Sequence, residues 1–240
     1  MPKIDIKDLS VTYLGRKKQT FPALIDLNCS FPNGEISAIM GESGSGKTTL
    51  LRALSNQLEY DGTIYSDGVD IRNLTNKERR LAYVQQEFAL YPHMTVFDNL
   101  AFPLKLERDS YDFITSKVNE MAVSLNIEYL LSRKPRQLST GQIQKVCLGR
   151  ALIKNPDLIM LDEPLSNVDA RQKEDVLQTI KSMLDHYKIT ALYITHNLKE
   201  AIYVSSNVYS LENGKIEWVK KSNDLGIIDI GSIFDKEGRE

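Results

Sequence analysis

The chain has 240 residues, 42 % hydrophobic and 26 % charged, with a formal net charge of −2. This balance fits a globular protein of one domain, with room for a subdomain, and excludes the chain-wide basic field expected of a nucleic-acid binder. No apolar run approaches the roughly 20 residues a membrane-spanning helix needs. Met1-Pro2-Lys3-Ile4-Asp5-Ile6 lacks the apolar core of a signal peptide, so a cytoplasmic location is expected. Two cysteines, Cys29 and Cys147, make no disulfide framework and read as small buried side chains.

Ile4, Ile6, Leu9, Val11 and Tyr13 carry the alternation of a half-buried strand, and Asn33-Gly34 marks a tight turn. Residues 36–40 read as a buried strand that feeds a glycine-rich loop and a helix over about 47–57. Asp61-Gly62 and Asp67-Gly68 punctuate short strands. Thr95-Val96-Phe97-Asp98 has the cap of a helix start, and Pro103 is expected to end or bend that helix. Ile114, Val118, Met121, Ala122 and Leu125 fall at helical spacing, so about 90–155 is expected to be mainly helical. Two buried strands follow, at 158–162 and 191–195, separated by a helix whose apolar face is Val176, Ile180, Met183, Leu184 and Tyr187. Strand–helix–strand order implies a parallel sheet with crossover helices. Asn213-Gly214 reads as the turn of a late hairpin.

Gly41-Glu42-Ser43-Gly44-Ser45-Gly46-Lys47-Thr48 fits the pattern G-x-x-x-x-G-K-[ST]. The residue types follow from the task of holding phosphate. Glycines let successive backbone N–H groups turn toward an anion, and the following helix adds its positive end. Lys47 would neutralise the outer phosphates, and Thr48 would give its hydroxyl to Mg²⁺. The pattern implies a nucleoside triphosphate without choosing among kinase, GTPase and ATPase.

The apolar stretch 158–161 ends in Asp162-Glu163-Pro164. Two acids at the edge of a core strand are costly unless used or paired. Asp162 is expected to hold Mg²⁺, mostly through water, and Glu163 to act as general base on the attacking water.

Between these motifs lies Leu138-Ser139-Thr140-Gly141-Gln142. With the phosphate loop upstream and the acid pair downstream, it resembles the signature of ABC transporter ATPase subunits, over about residues 4–219. The resemblance implies a P-loop NTPase of α/β class: a RecA-like parallel-sheet core, an N-terminal antiparallel β subdomain and an inserted α-helical subdomain. It places the ATPase domain at 1–220, the helical subdomain at about 90–155 and a C-terminal tail at 221–240. ATP and Mg²⁺ are implied at residues 41–49, through Thr49. Ser139 and Gly141, with Thr140 and Gln142, would complete the site of a second copy, touching its γ-phosphate. The usual signature has glycine where this chain has Thr140. A position needing positive φ would strain threonine by roughly 1–3 kcal/mol; otherwise Thr140 is tolerated and adds a hydroxyl.

Further positions match the family. Gln86, selected over Gln85 by alignment on Ala89-Leu90-Tyr91-Pro92, matches the glutamine that ligates Mg²⁺ and water. His196 matches the switch histidine that contacts the γ-phosphate, with Asn197 where aspartate is usual. Asp169 in Ser166-Asn167-Val168-Asp169 matches the loop that meets its counterpart across the pair, and it also stands where it would cap the next helix. Tyr13 matches the aromatic residue that stacks on adenine. Ala89-Leu90-Tyr91-Pro92-His93-Met94-Thr95-Val96 and Leu131-Ser132-Arg133-Lys134-Pro135-Arg136-Gln137 are similar to importer ATPases of the sugar and polyamine class.

The implied partners are a second, identical or paired, ATPase subunit, integral-membrane permease subunits and a solute-binding protein, with no nucleic acid. The implied location is peripheral, on the inner face of the cell membrane. A groove near residues 86–98 would receive a helix of the permease, with Phe88, Leu90, Tyr91 and Met94 as apolar contacts. The alternatives are an exporter ATPase, a soluble ABC ATPase, a P-loop kinase or GTPase, and a nucleotide-gated binding module. Exporters usually carry an acidic Gly-rich segment before the signature, absent here, and no Asn-Lys-x-Asp selects guanine.

Overall fold

The computed structural model describes residues 2–15 and 19–226. The expected tail therefore lies, from residue 227 onward, outside the described residues. Strands β1 (Ile4–Leu14) and β2 (Thr20–Phe31) form a long antiparallel pair. The inward set Ile4, Ile6, Leu9 and Val11 is not strictly alternate. A register shift between Ile6 and Leu9, with Asp8 at φ +51°, returns Leu9 to the buried face. Strand β3 (Ile36–Met40) and helix α1 (Lys47–Leu54) follow, the helix ending three residues before the expected Gln57. Then come β4 (Asp61–Ser66), β5 (Val69–Asp70), the short α2 (Asn76–Arg79) and β6 (Leu81–Val84).

Helices α3 (Val96–Leu106), α4 (Tyr111–Ser124) and α5 (Thr140–Leu152) form the middle of the chain. Thr95 caps α3 as its sequence requires, its hydroxyl accepting from the Asp98 N–H at 3.1 Å. Pro103 does not end α3, which runs on to Leu106. Packing decides this: Leu100, Ala101 and Leu104 are buried on either side of the proline, and burial of each large apolar side chain stabilises by about 1.5–3 kcal/mol, against roughly 3 kcal/mol for an interior proline. The chain closes with β7 (Leu158–Asp162), α6 (Ala170–Tyr187), β8 (Thr190–Thr195), α7 (Leu198–Val204), β9 (Asn207–Glu212), β10 (Lys215–Lys221) and α8 (Ser222–Leu225).

Among the described residues the strands make two sheets, in the orders β2-β1-β4-β5 and β10-β9-β3-β8-β7-β6. The first is antiparallel. In the second, β9, β3, β8, β7 and β6 are parallel and β10 turns back as a hairpin. This is the α/β architecture of a P-loop NTPase. Strand β7 is buried throughout, so its period-2 pattern appears as a choice between two cores. Leu158 and Met160 join β1, β2 and α1 on one face; Ile159 and Leu161 join α3, α4, α5 and α6 on the other. The central sheet is thereby clamped from both sides, and its strand ends are held in place. No helix among the described residues is long and apolar enough to cross a membrane.

Candidate functional site

Parallel pairing sets the site. Met40 of β3 pairs with Thr195 of β8, and Asp162 of β7 pairs with Ile194 of β8. The chain leaving each strand therefore emerges at one edge of the sheet, where open α/β folds bind ligands. After β3 the loop turns through Gly44 at φ +86° and Gly46 at φ +108°. At Gly46 a Cβ would also lie 2.5 Å from the Ala23 carbonyl, so both backbone conformation and space demand glycine. Helix α1 has no side-chain cap, which leaves its first N–H groups facing outward at the positive end of the helix.

Lys47 is buried, and its ammonium donates to the carbonyls of Gly41 at 2.7 Å and Glu42 at 2.8 Å. Burial lowers the Lys47 pKa, and the nearby Glu163 and Asp162 oppose that shift. Among the described residues, Ser45 Oγ has no hydrogen-bond partner and is buried beside the loop. Tyr13 is 39 % exposed, and its hydroxyl lies 3.3 Å from Thr49 Oγ1, beside the first turn of α1.

Asp162, only 4 % exposed, accepts from Thr48 Oγ1 at 3.1 Å and from the Tyr83 hydroxyl at 2.9 Å. Burial, reinforced by the Asp162 carboxylate, pushes the Tyr83 pKa up, so Tyr83 stays a neutral donor. Glu163 has φ +44°, a left-handed backbone that costs a non-glycine residue roughly 1–3 kcal/mol. Its N–H donates to the Ile194 carbonyl at 3.1 Å, which holds the turn against β8. Its Oε2 then lies 3.6 Å from Nδ1 of the exposed His196.

Behind His196, the buried Glu200 accepts from the hydroxyls of Tyr193 and Thr195. Burial raises the Glu200 pKa against those hydrogen bonds. Asn197 serves as the cap of α7, its Oδ1 accepting from the N–H groups of Lys199 at 3.0 Å and Glu200 at 3.2 Å. An amide oxygen does this as well as a carboxylate, so asparagine here costs the helix nothing.

The pentapeptide opens α5. Ser139 Oγ accepts from the Gln142 N–H at 3.3 Å, and Gln142 Oε1 accepts from the Ser139 N–H at 3.0 Å, a reciprocal capping box. Thr140 is the first helical residue and does not have positive φ, so it is unstrained. Its hydroxyl donates to Asp169 Oδ2 at 3.0 Å and accepts from the Asp169 N–H at 3.1 Å. The expectation that Asp169 caps α6 is corrected here: its carboxylate, engaged by Thr140, makes no cap hydrogen bond. Ser139 and Gly141 both donate to the side chain of Gln172 on α6. Among the described residues, no hydrogen bond or ion pair links Ser139, Thr140, Gly141 or Gln142 to the glycine loop.

Gln86 is exposed and contributes its backbone carbonyl, which accepts from Asn167 Nδ2 at 2.9 Å; its side chain takes no part in the Asp162 and Glu163 network. A groove of about 1190 Å³ beside β6 and α3 is lined by Tyr83, Gln85, Tyr91, Phe102 and Arg150, among others. Phe88 and Leu90, expected to face a partner there, are half-buried and pack against the helical core. Cys147 is buried as expected and Cys29 is half-buried; burial raises their thiols to about 11 and about 12. Sequence reasoning missed Tyr83, Gln172 and Glu200, because each acquires its role from a partner on another element or in the fold around it.

The sequence model of the ABC transporter family matches residues 24–166, more than half of the chain. The chain belongs to the ABC transporter family. It is 38 % identical over 216 residues to the sulfate/thiosulfate import ATP-binding protein CysA of Bacillus cereus, covering 87 % of this chain and 60 % of that protein. It is 41 % identical over 194 residues to the molybdate/tungstate import ATP-binding protein WtpC of Pyrococcus abyssi, covering 80 % of this chain and 56 % of that one. The chain thus spans less than two thirds of the length of these curated relatives. Among solved structures, a dimeric post-hydrolysis state of the ATP-binding cassette MJ0796 bound to ADP and Pi superposes with a TM-score of 0.80 at 29 % identity, covering 91 % of this chain and 98 % of that one.

Proposed function

We propose that this ABC family member is the ATP-binding and ATP-hydrolysing subunit of an importer, working in pairs whose closure on ATP drives a membrane permease. The observation that carries the reading is the convergence of three strand ends. Thr48 meets Asp162 at 3.1 Å, and Glu163 meets His196 at 3.6 Å, all beside Lys47 and the glycine loop.

The residues fit the groups this activity needs. The left-handed glycines, the uncapped start of α1 and Lys47 suit a polyphosphate, and the unpaired Ser45 hydroxyl adds a donor. Thr48 and Asp162 are the hard oxygen ligands that Mg²⁺ prefers. When bound, Mg²⁺ neutralises charge on the phosphate oxygens. Lys47 holds the outer phosphates, and Tyr13 stacks on the adenine. Glu163 takes a proton from the attacking water, while His196 donates to the γ-phosphate and helps orient that water. Gln86 stands at the rim, where closure brings it to the reacting water. Ser139 and Gly141 of the second copy donate to the γ-phosphate, supported by Thr140 and Gln142, and Asp169 meets its counterpart across the pair.

In this reading residues 1–220 are the ATPase domain, the helices of about 90–155 form the arm that carries the signature, and 221–240 is a tail. The groove lined by Tyr91 and Arg150 takes a helix of the permease, which holds the subunit on the inner face of the membrane. The permease and a solute-binding protein select the solute, so the direct assay of this chain is ATP turnover. Glu163→Gln is expected to abolish turnover and trap an ATP-bound dimer. Near-normal steady-state ATPase activity in that variant would count against Glu163 as the base.

A further inference from the structure

Two donors that the closed pair needs for the γ-phosphate are already engaged within one chain. The Ser139 hydroxyl donates to Gln172 Oε1 at 2.7 Å, and the Gly141 N–H donates to the same oxygen at 3.1 Å. A backbone N–H can only donate, so the Gln172 atom facing it is the carbonyl oxygen and not the NH₂. A Cβ on Gly141 would lie 2.4 Å from that oxygen, so the glycine is what admits the amide. Ser139 has one hydroxyl proton, and its oxygen is already the acceptor for the Gln142 N–H at 3.3 Å. The Gly141 N–H is likewise single. A phosphate oxygen arriving at these donors must take the place of Gln172 Oε1. The reciprocal Thr140–Asp169 hydrogen bonds tie the start of α5 to the start of α6, which keeps the amide presented to its donors.

We propose that Gln172 is an intramolecular latch on the signature: its side-chain carbonyl occupies the γ-phosphate's place until the triphosphate held by a second copy displaces it. The inference rests on the paired-site reading given above. Gln172 is a positioning residue that acts through Ser139 and Gly141. The exchange runs forward because hydrogen bonds to a charged phosphate oxygen are roughly twice as strong as those to a neutral amide, while the half-buried amide turns out to water. A diphosphate has no γ-oxygen to make the exchange and leaves the latch shut. Closure thereby answers to the triphosphate and not to nucleotide as such.

The test uses the full chain carrying E163Q, so that turnover does not drain the closed pair, with dimer fraction read by sedimentation velocity as Mg-ATP is raised. Q172L removes the acceptor and should lower the ATP concentration for half-dimerisation roughly tenfold, the loss of two ordinary hydrogen bonds. Q172A serves as a second deletion should leucine crowd Gly141. Q172E keeps the acceptor, strengthens it with charge and repels the incoming phosphate, so it should raise the midpoint. ATP binding by dilute monomer should be unchanged in all three. Opposite shifts for deletion and charge support the latch, because a packing defect moves every variant the same way. An unchanged or raised midpoint in both Q172L and Q172A, or a lowered one in Q172E, overturns it. If E163Q alone shows no ATP-dependent pairing, the paired-site reading fails and the latch falls with it.

Discussion

Tyr83→Phe deletes one oxygen and leaves the ring in place against the core shared with β1, β2 and α1. The lost group donates at 2.9 Å to a carboxylate that is 4 % exposed, and among the described residues the Asp162 carboxylate would then keep only the Thr48 hydroxyl, at 3.1 Å. A hydrogen bond to a charged acceptor contributes about 1.5–3 kcal/mol, more than a neutral pair, because the buried charge is left poorly solvated without it. For a chain of this size each kcal/mol moves the melting temperature by about 2–4 °C, so a loss near 2 kcal/mol corresponds to roughly 4–8 °C. The same hydroxyl orients a proposed Mg²⁺ ligand, and removing such a supporting group typically weakens metal affinity by about 10–100-fold. Two assays follow: thermal unfolding followed by circular dichroism, and the Mg²⁺ midpoint of ATP hydrolysis at saturating ATP. Y83F should melt earlier and need at least several-fold more Mg²⁺. A variant with the parent's melting temperature and the parent's Mg²⁺ midpoint would refute the hydrogen bond's role in both fold and site.

Glu200→Gln tests the buried acid behind His196. Folding raises the Glu200 pKa, so the native state binds the extra proton, and this contribution to stability is lost as pH climbs from the ordinary value of 4.5 through the raised one. His196 and Lys173 nearby favour the charged form but do not reverse the shift. E200Q should therefore lose less stability than the parent as pH rises above the ordinary glutamate value of 4.5 in urea unfolding; parallel pH profiles would contradict the shift. Gly149→Ala sets helix propensity against packing. A Cβ there would lie 2.6 Å from Leu125 Cδ1 and 2.9 Å from Leu100 Cδ2, both fully buried. Overpacking of about 1–3 kcal/mol should outweigh the gain of about 1 kcal/mol from replacing a helical glycine, so a raised melting temperature would be the contrary result.

What could be read from the residues in order is what depends on near neighbours along the chain. The glycine loop declares itself because backbone N–H groups can turn toward phosphate only with small residues at fixed offsets. The strand at Leu158–Asp162 and the acids that end it follow from a run of apolar side chains meeting a turn. The start of α3 follows from the Thr95 hydroxyl and the Asp98 carboxylate three residues on. Residues far apart in sequence were decided by packing alone. Tyr83 reaches Asp162 only because β6 pairs with β7 in parallel. Thr140 could be strained or free, and its place as the first residue of a capped helix, beside Asp169, settles that it is free. Gln172 looks like any polar residue on a helix until α6 lies against α5 and sets its carbonyl before two donors. Local patterns encode which chemistry is available, because they fix backbone direction and residue type. Which groups meet depends on how two hydrophobic cores clamp one sheet, and that is a property of the whole chain folded.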